Sequence, residues 1–147
     1  KSIDALTISI SSVPTTDSYI NSDIDIRLIT GPEILTGSTR LKAGTATKMT
    51  LNIISTTVMI KLGKVFGNSM IDVSITNNKL RERALGILFD IASVDQKEGL
   101  KLLKKTDGSV KLSLLIALSN LDLVSARKML SNCNDNLRTA LIKVGSL

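Results

Sequence analysis

The chain has 147 residues, of which 43% are hydrophobic, and carries a formal net charge of +6 at pH 7. That length is enough to bury a sizeable core in one domain or in two small ones. The sequence has no histidine and one cysteine, which excludes histidine-based acid–base catalysis, most zinc sites and an internal disulfide. We interpret the cysteine, Cys133, as an inert thiol because no histidine is present to activate it.

The sequence also bears on location. No apolar run reaches the roughly 18 residues that suggest a membrane-spanning helix, and the first residues lack the apolar core of a signal peptide. We therefore expect a soluble cytoplasmic protein. Because the chain begins with Lys1 and not with methionine, we also expect it to be a piece of a longer protein.

The excess positive charge lies in the second half of the chain. Residues 1–75 carry seven cationic and six anionic side chains, whereas residues 76–147 carry twelve and seven. A basic surface attracts nucleic acid or anionic lipid, but the lysines between residues 97 and 111 have no aromatic residue among them on which bases would stack. We interpret these lysines as a solvated helical face, and we expect neither a nucleic-acid nor a membrane partner.

Two short strands and a loop open the chain. Residues 6–11 and residues 24–28 alternate apolar with polar side chains, which is the period-two pattern of a strand with one buried face. The segment from Gly31 to Thr45 then combines glycine, hydroxyl and cationic residues. Glycine permits positive φ or close approach to a ligand, and free N–H groups at a following helix start attract anions. This order predicts a cradle for a phosphate or carboxylate group.

A long helix is predicted over residues 45–62, capped by Thr45, because this stretch has neither glycine nor proline. It is apolar over most of its circumference, so we expect it to be covered by a sheet on one side and by another subunit on the other. Threonines in such a helix are expected to hydrogen-bond back to the preceding turn. A connector is predicted over residues 64–74.

The rest of the chain is predicted to be helical. Residues 80–91 carry an amphipathic stripe of apolar side chains. Four short helices around a small core are expected after residue 92, the first of them opened by Ser93 and Gln96 as a capping box. Asp107-Gly108 predicts the next turn, and Asp122 is expected to cap the third of these helices.

Several long phrases of this sequence resemble those of one enzyme family. They are Gly-Pro-Glu at 31–33, Gly-Ser-Thr-Arg-Leu-Lys-Ala-Gly-Thr at 37–45, Met-Ile-Lys-Leu-Gly-Lys-Val-Phe-Gly-Asn at 59–68, and Thr-Asn-x-Lys-Leu-Arg-Glu-Arg-Ala at 76–84. The chain is similar in these phrases to the N-acetylmuramic acid 6-phosphate etherases, which share sugar isomerase (SIS) domains with the related glucokinase regulatory protein. The resemblance covers essentially the whole chain but only the C-terminal half of such an enzyme.

The resemblance implies an α/β fold in three parts. Residues 1–75 would be the C-terminal part of a SIS-type, Rossmann-like domain with a parallel sheet, and residues 76–92 a connecting amphipathic helix. Residues 93–147 would form a small all-helical domain similar to ubiquitin-associated domains. A partial sheet leaves an unpaired edge and an exposed apolar helix face, so we expect these residues to associate with another copy or with a missing segment, and the protein to be a homodimer.

The implied function is that of a carbon–oxygen lyase in the recycling of cell-wall amino sugars. The full-length protein would cleave the D-lactyl ether of N-acetylmuramic acid 6-phosphate by elimination and addition of water, with no metal or organic cofactor. The products would be N-acetylglucosamine 6-phosphate and D-lactate. The family's acid–base glutamates lie upstream of this chain, so residues 1–147 alone are expected to be inactive. The alternative is a non-catalytic SIS-domain sensor of sugar phosphates.

The resemblance also suggests site residues, all within the glycine-rich segment. Glu33 is a candidate catalytic carboxylate, but we favour a structural role in which it accepts hydrogen bonds from loop N–H groups or pairs with Arg40. For Arg40, binding of a phosphate or of the lactyl carboxylate and pinning of the loop are both open. Lys42 is favoured as structural. No metal ligand is predicted, and the candidate ligand-binding residues are Glu33, Ser38, Thr39, Arg40 and Lys42.

Overall fold

The computed structural model of the chain describes residues 3–147. Those residues divide into two compact units at the boundary between Thr57 and Val58. The elements in chain order are β1 (Ile8–Ser11), β2 (Ile24–Arg27), α1 (Lys42–Lys61), β3 (Val65–Phe66), β4 (Ser69–Met70), α2 (Asn78–Ala92), α3 (Gln96–Lys105), α4 (Val110–Ser119), α5 (Leu123–Ser131) and α6 (Leu137–Lys143).

The first unit contains a small parallel sheet. β1 pairs with β2 in parallel, with Ile8 opposite Ile24 and Ser11 opposite Arg27. The Arg27 guanidinium forms an ion pair with Asp25 and donates hydrogen bonds to the backbone carbonyls of Val13 (2.8 Å) and Ser18 (2.9 Å). One arginine thus holds the connection between the strands against the sheet. Both predicted strands are confirmed, and the parallel pairing fits an α/β fold.

Helix α1 begins three residues earlier than predicted. Thr45 lies inside its first turn and does not cap it, so the predicted capping role of Thr45 is wrong. The hydroxyls of Thr47 and Thr50 donate to the carbonyls of Ala43 and Ala46, both at 2.9 Å, as expected of threonines that bond back within a helix. No residue of α1 is buried. Its exposed large apolar side chains are Met49, Leu51, Ile53, Val58 and Ile60.

A hairpin follows α1 in the second unit, where the sequence predicted only a connector. β3 and β4 pair antiparallel around Gly67 and Asn68, and Gly67 takes a φ of +59°. The chain then passes through Ile71, which is 1% exposed and belongs to the core of the helical unit. The guanidinium of Arg138 in α6 lies 5.2 Å from the centroid of the Phe66 ring. The hairpin is therefore packed onto the helices and is part of their unit.

Five helices, α2 to α6, surround the core of this second unit. Helix α4 is central, since every residue from Val110 to Leu115 is buried and the helix contacts α2, α3, α5 and α6. Leu88 and Leu141 are fully buried against it. The single cysteine, Cys133, is free and 5% exposed. The apolar stripe over residues 80–91 lies on α2, and the four short helices expected within residues 93–144 correspond to α3, α4, α5 and α6.

The helix ends of the second unit follow local capping rules, with one correction to the predicted caps. Asp122 caps α5 by accepting from the Ser125 N–H, as predicted. The predicted capping box of Ser93 and Gln96 is wrong, because Ser93 ends α2 with a left-handed φ of 53°. Asp95 caps α3 instead and accepts from the Glu98 N–H at 2.8 Å. The two helices are so close in sequence that Ser93 is needed to terminate the first one.

Candidate functional site

The glycine-rich segment is organised by the side chain of Glu33. One carboxylate oxygen accepts a hydrogen bond from the N–H of Lys42 (2.9 Å), and the other accepts from the N–H of Ala43 (3.0 Å). These N–H groups belong to the first turn of α1, where no intrahelical carbonyl is available to them. A carboxylate at this position is also favoured by the helix dipole. Glu33 therefore caps α1 from nine residues upstream.

The same contacts decide the ionisation of Glu33. The hydrogen bond from the backbone N–H of Ala43, followed by that from Lys42, lowers the pKa of Glu33 below its ordinary range, with a smaller contribution from the positive charge of Lys42. Hydrogen bonds to the charged form favour that form. Glu33 is accordingly held as a carboxylate with both oxygens occupied, which makes it a weak proton acceptor.

Backbone hydrogen bonds fold the rest of the loop into successive turns. The N–H of Ser38 donates to the carbonyl of Leu35 (2.9 Å), that of Leu41 to Ser38 (3.1 Å), and that of Gly44 to Thr39 (2.8 Å). A β-carbon at Gly44 would stand 3.2 Å from the Thr39 carbonyl oxygen. Glycine is needed at position 44 because the two backbone segments approach so closely.

The two cations of the loop have different environments. The ammonium of Lys42 donates to the carbonyl of Pro32 at 2.9 Å, so that Lys42 adds a second contact that closes the loop. Nothing in the sequence pattern signals this contact. Arg40 is exposed and has neither a hydrogen bond nor an ion pair within residues 3–147. The pairing of Glu33 with Arg40, one of the two structural interpretations, is not formed; the other, acceptance of loop N–H bonds, is.

The structure brings the five candidate residues together on one short segment but not around an open anion cradle. The N–H groups at the start of α1, which were predicted to attract an external anion, donate instead to Glu33. Ser38 is half-buried and Thr39 exposed, and their hydroxyls are not used in the loop's own hydrogen bonds. The groups available to a ligand are thus the side chains of Ser38, Thr39 and Arg40.

The described residues, 3–147, contain neither a cluster of metal ligands nor a helix suited to crossing a membrane. No group of three or more Cys, Asp or Glu side chains there is placed to hold a metal ion. None of the helices in this part of the chain combines the length and the apolar character needed to cross a membrane.

Comparison with known proteins identifies close relatives. No family model matches the chain. It is 71% identical over 142 residues to the N-acetylmuramic acid 6-phosphate etherase of Prochlorococcus marinus (strain NATL1A), a match that covers 97% of this chain and 46% of that protein. Identity to the enzyme of the same name from strain NATL2A is 72% over 144 residues, covering 98% and 46%. For Synechococcus sp. (strain CC9902) it is 55% over 145 residues, covering 99% and 46%. The chain spans about half the length of the curated relatives it matches.

Proposed function

We propose that this chain, which belongs over nearly its whole length to the family of N-acetylmuramic acid 6-phosphate etherases, is the C-terminal portion of a carbon–oxygen lyase. The observation that carries this proposal is the 71% identity to a curated etherase over 97% of the chain. The full-length protein would cleave the D-lactyl ether of N-acetylmuramic acid 6-phosphate. The products would be N-acetylglucosamine 6-phosphate and D-lactate, in the recycling of cell-wall amino sugars.

The reaction needs one group that removes the proton at C2 and one that protonates the departing lactate, and two carboxyl groups of separated pKa meet this need. Glu33 is a poor candidate for either task because backbone N–H groups occupy both of its oxygens. We assign acid–base chemistry to glutamates outside this chain. Residues 1–147 alone would therefore be inactive.

The loop would contribute to binding of the phosphorylated amino sugar. Arg40, Ser38 and Thr39 keep their side-chain donors free of the loop's internal hydrogen bonds. A guanidinium offers a two-pronged contact to a phosphate or carboxylate, and hydroxyls add single donors. Glu33 and Lys42 would serve the same site by shaping the loop.

The proposed architecture follows the SIS-domain interpretation. Residues 1–75 would complete a SIS-type parallel sheet begun upstream, which is supported by the parallel pairing of β1 with β2. Residues 76–92 would connect it to a ubiquitin-associated-like helical domain over 93–147. The exposed apolar side chains of α1 support burial by the rest of the protein in a homodimer. We place the protein in the cytoplasm with the enzymes it resembles.

The test is to incubate the full-length protein with N-acetylmuramic acid 6-phosphate and to assay D-lactate. Release of D-lactate together with N-acetylglucosamine 6-phosphate is expected. Binding of the phosphosugar without release of lactate would overturn the lyase proposal and favour a sugar-phosphate sensor. Residues 1–147 alone, assayed in parallel, should release no lactate; measurable turnover would show that the acid–base groups lie within this chain.

A further inference from the structure

The loop that leads into α1 is closed by two independent contacts. The Glu33 carboxylate holds the N–H groups of Lys42 and Ala43, and the Lys42 ammonium holds the carbonyl of Pro32. We call these two contacts the Glu33–Lys42 clasp. Each contact joins residues nine or ten positions apart, so that the clasp fixes both ends of the segment between them.

Arg40 lies inside the closed segment, two residues before Lys42. The backbone on either side of it is held, since the Leu41 N–H donates to Ser38 and the Gly44 N–H donates to Thr39. A long side chain on a fixed backbone loses less freedom when it binds than one on a mobile loop. Closure of the clasp therefore reduces the conformational entropy that the Arg40 side chain would lose on binding a ligand.

The two cations of the loop, Arg40 and Lys42, differ in whether the side chain already has a hydrogen-bond partner. Lys42 already donates to Pro32 and is half-buried. Arg40 is exposed and has no partner among the described residues. Since guanidinium groups match the planar geometry of carboxylate and phosphate better than ammonium groups do, the free cation is also the one better suited to an anionic oxygen pair.

From this geometry we infer a division of roles, which rests on the proposed function. Arg40 binds an anionic group of the phosphosugar, either its phosphate or its lactyl carboxylate. Glu33 is a positioning residue that acts through Arg40, and Lys42 closes the loop without contacting the ligand. This assignment decides between the two roles that the sequence left open for Arg40.

Steady-state kinetics of the full-length protein test the assignment. Arg40→Ala should raise KM about 10- to 100-fold, the range expected for loss of a charged hydrogen-bond pair, with a smaller effect on kcat. Lys42→Met removes one contact of the clasp but leaves the backbone hydrogen bonds to Glu33, so it should raise KM only about 3- to 5-fold, less than Arg40→Ala does. Glu33→Ala should raise KM about 10-fold. Glu33→Gln should give a KM between those of the wild type and Glu33→Ala, because one acceptor oxygen remains. The control variant at the exposed Glu98, Glu98→Ala, should have the KM of the wild type. An unchanged KM in Arg40→Ala, or an equal rise in Lys42→Met, would overturn the assignment.

A double variant tests whether Glu33 acts through Arg40. Once Arg40 is alanine, adding Glu33→Ala should raise KM by less than about threefold, because the group being positioned is already absent. A full additional 10-fold rise would show that Glu33 acts on the ligand by another route, and the positioning role would fall. A variant that only lowers the thermal midpoint, with KM unchanged, would contradict it as well. The inhibition constants of the two products, measured for the wild type and for Arg40→Ala, identify the group that Arg40 binds. If Arg40 binds the phosphate, the constant for N-acetylglucosamine 6-phosphate rises in the variant; if it binds the carboxylate, the constant for D-lactate rises.

A measurement independent of activity separates this inference from the proposed function. The amide hydrogens of Lys42 and Ala43 should be protected from exchange in the wild type and should lose at least about 10-fold of that protection in Glu33→Ala. If the wild type releases no D-lactate, the lyase proposal fails, and the same variants are compared through their dissociation constants for N-acetylglucosamine 6-phosphate. Unprotected amides in the wild type would show that the clasp is not formed.

Discussion

Gly63 lies directly against the backbone of Asn136. A β-carbon on Gly63 would stand 3.2 Å from the Asn136 Cα and 3.2 Å from its side-chain nitrogen. Gly63 also has a φ of +66°, and Asn136 caps α6 by accepting from the Thr139 N–H at 3.0 Å. Gly63, two residues after the end of α1, and the N-cap residue of α6 therefore meet where a β-carbon at position 63 would be crowded.

We expect Gly63→Ala to lower the free energy of unfolding by about 2 kcal/mol or more, because left-handed strain adds to a backbone contact. The matched control is Gly67→Ala. Gly67 has a φ of +59°, but a β-carbon there would meet nothing within 4 Å. Only the strain of alanine in a left-handed backbone conformation is then expected, about 1 kcal/mol. Denaturant unfolding of both variants checks this, and equal losses would show that the contact with Asn136 has no energetic weight.

Capping of α3 gives a second prediction. Asp95→Ala should lower the free energy of unfolding by about 1 kcal/mol, since the Glu98 N–H would lose its acceptor. Ser93→Gly should be neutral or slightly stabilising, because Ser93 has a φ of 53° that glycine adopts without strain. Thermal unfolding of the two variants measures the difference. The reverse order of stabilities would restore Ser93 as the cap of this helix.

The apolar face of α1 gives a third prediction, for the full-length protein. Ile53 is 63% exposed in this chain and Val124 in α5 is 76% exposed. If the rest of the protein covers α1, Ile53→Gln should lower stability by about 2 kcal/mol, as for a buried aliphatic side chain. Val124→Gln should change stability by less than about 0.5 kcal/mol. Chemical unfolding, with sedimentation to follow assembly, provides the readout; the same small change in both variants would contradict coverage of α1.

The fourth prediction concerns pH. The hydrogen bonds from Ala43 and Lys42 lower the pKa of Glu33 in the folded protein. The folded form of a group with a depressed pKa binds its proton less tightly than the unfolded form does, so its stabilising contribution is complete above the unfolded pKa, about 4.3 for glutamate. It is lost as pH falls below that value through the folded pKa.

Closure of the loop should therefore weaken in acid, and the amides of Lys42 and Ala43 should lose protection there. Hydrogen exchange followed from pH 6 downward, with rates corrected for intrinsic pH dependence, measures this loss. Glu33→Gln, which has no carboxylate to titrate, is the control and should show no such step. A step that persists in this variant would assign the pH dependence to another group.

Patterns within a few residues of one another predicted much of this structure. The period-two alternation at residues 24–28 and the apolar stripe at residues 80–91 correspond to β2 and α2. Asp122 was predicted as a cap, because a capping side chain and the N–H it binds lie only three residues apart. The hairpin at residues 65–70 was missed, since its strands have two residues each and show no periodicity.

The sequence by itself determined where most helices lie, because their patterns depend on short spacings, and its long phrases carried the resemblance to the etherase family and to its loop segment. Only the tertiary structure decided which side chain caps α1, which cation of the loop is already engaged and where glycine is required. The first two features join groups nine or ten residues apart, and the contact of Gly63 with Asn136 joins residues that flank separate helices. Contacts of this kind depend on how the chain folds back on itself, which no local pattern records.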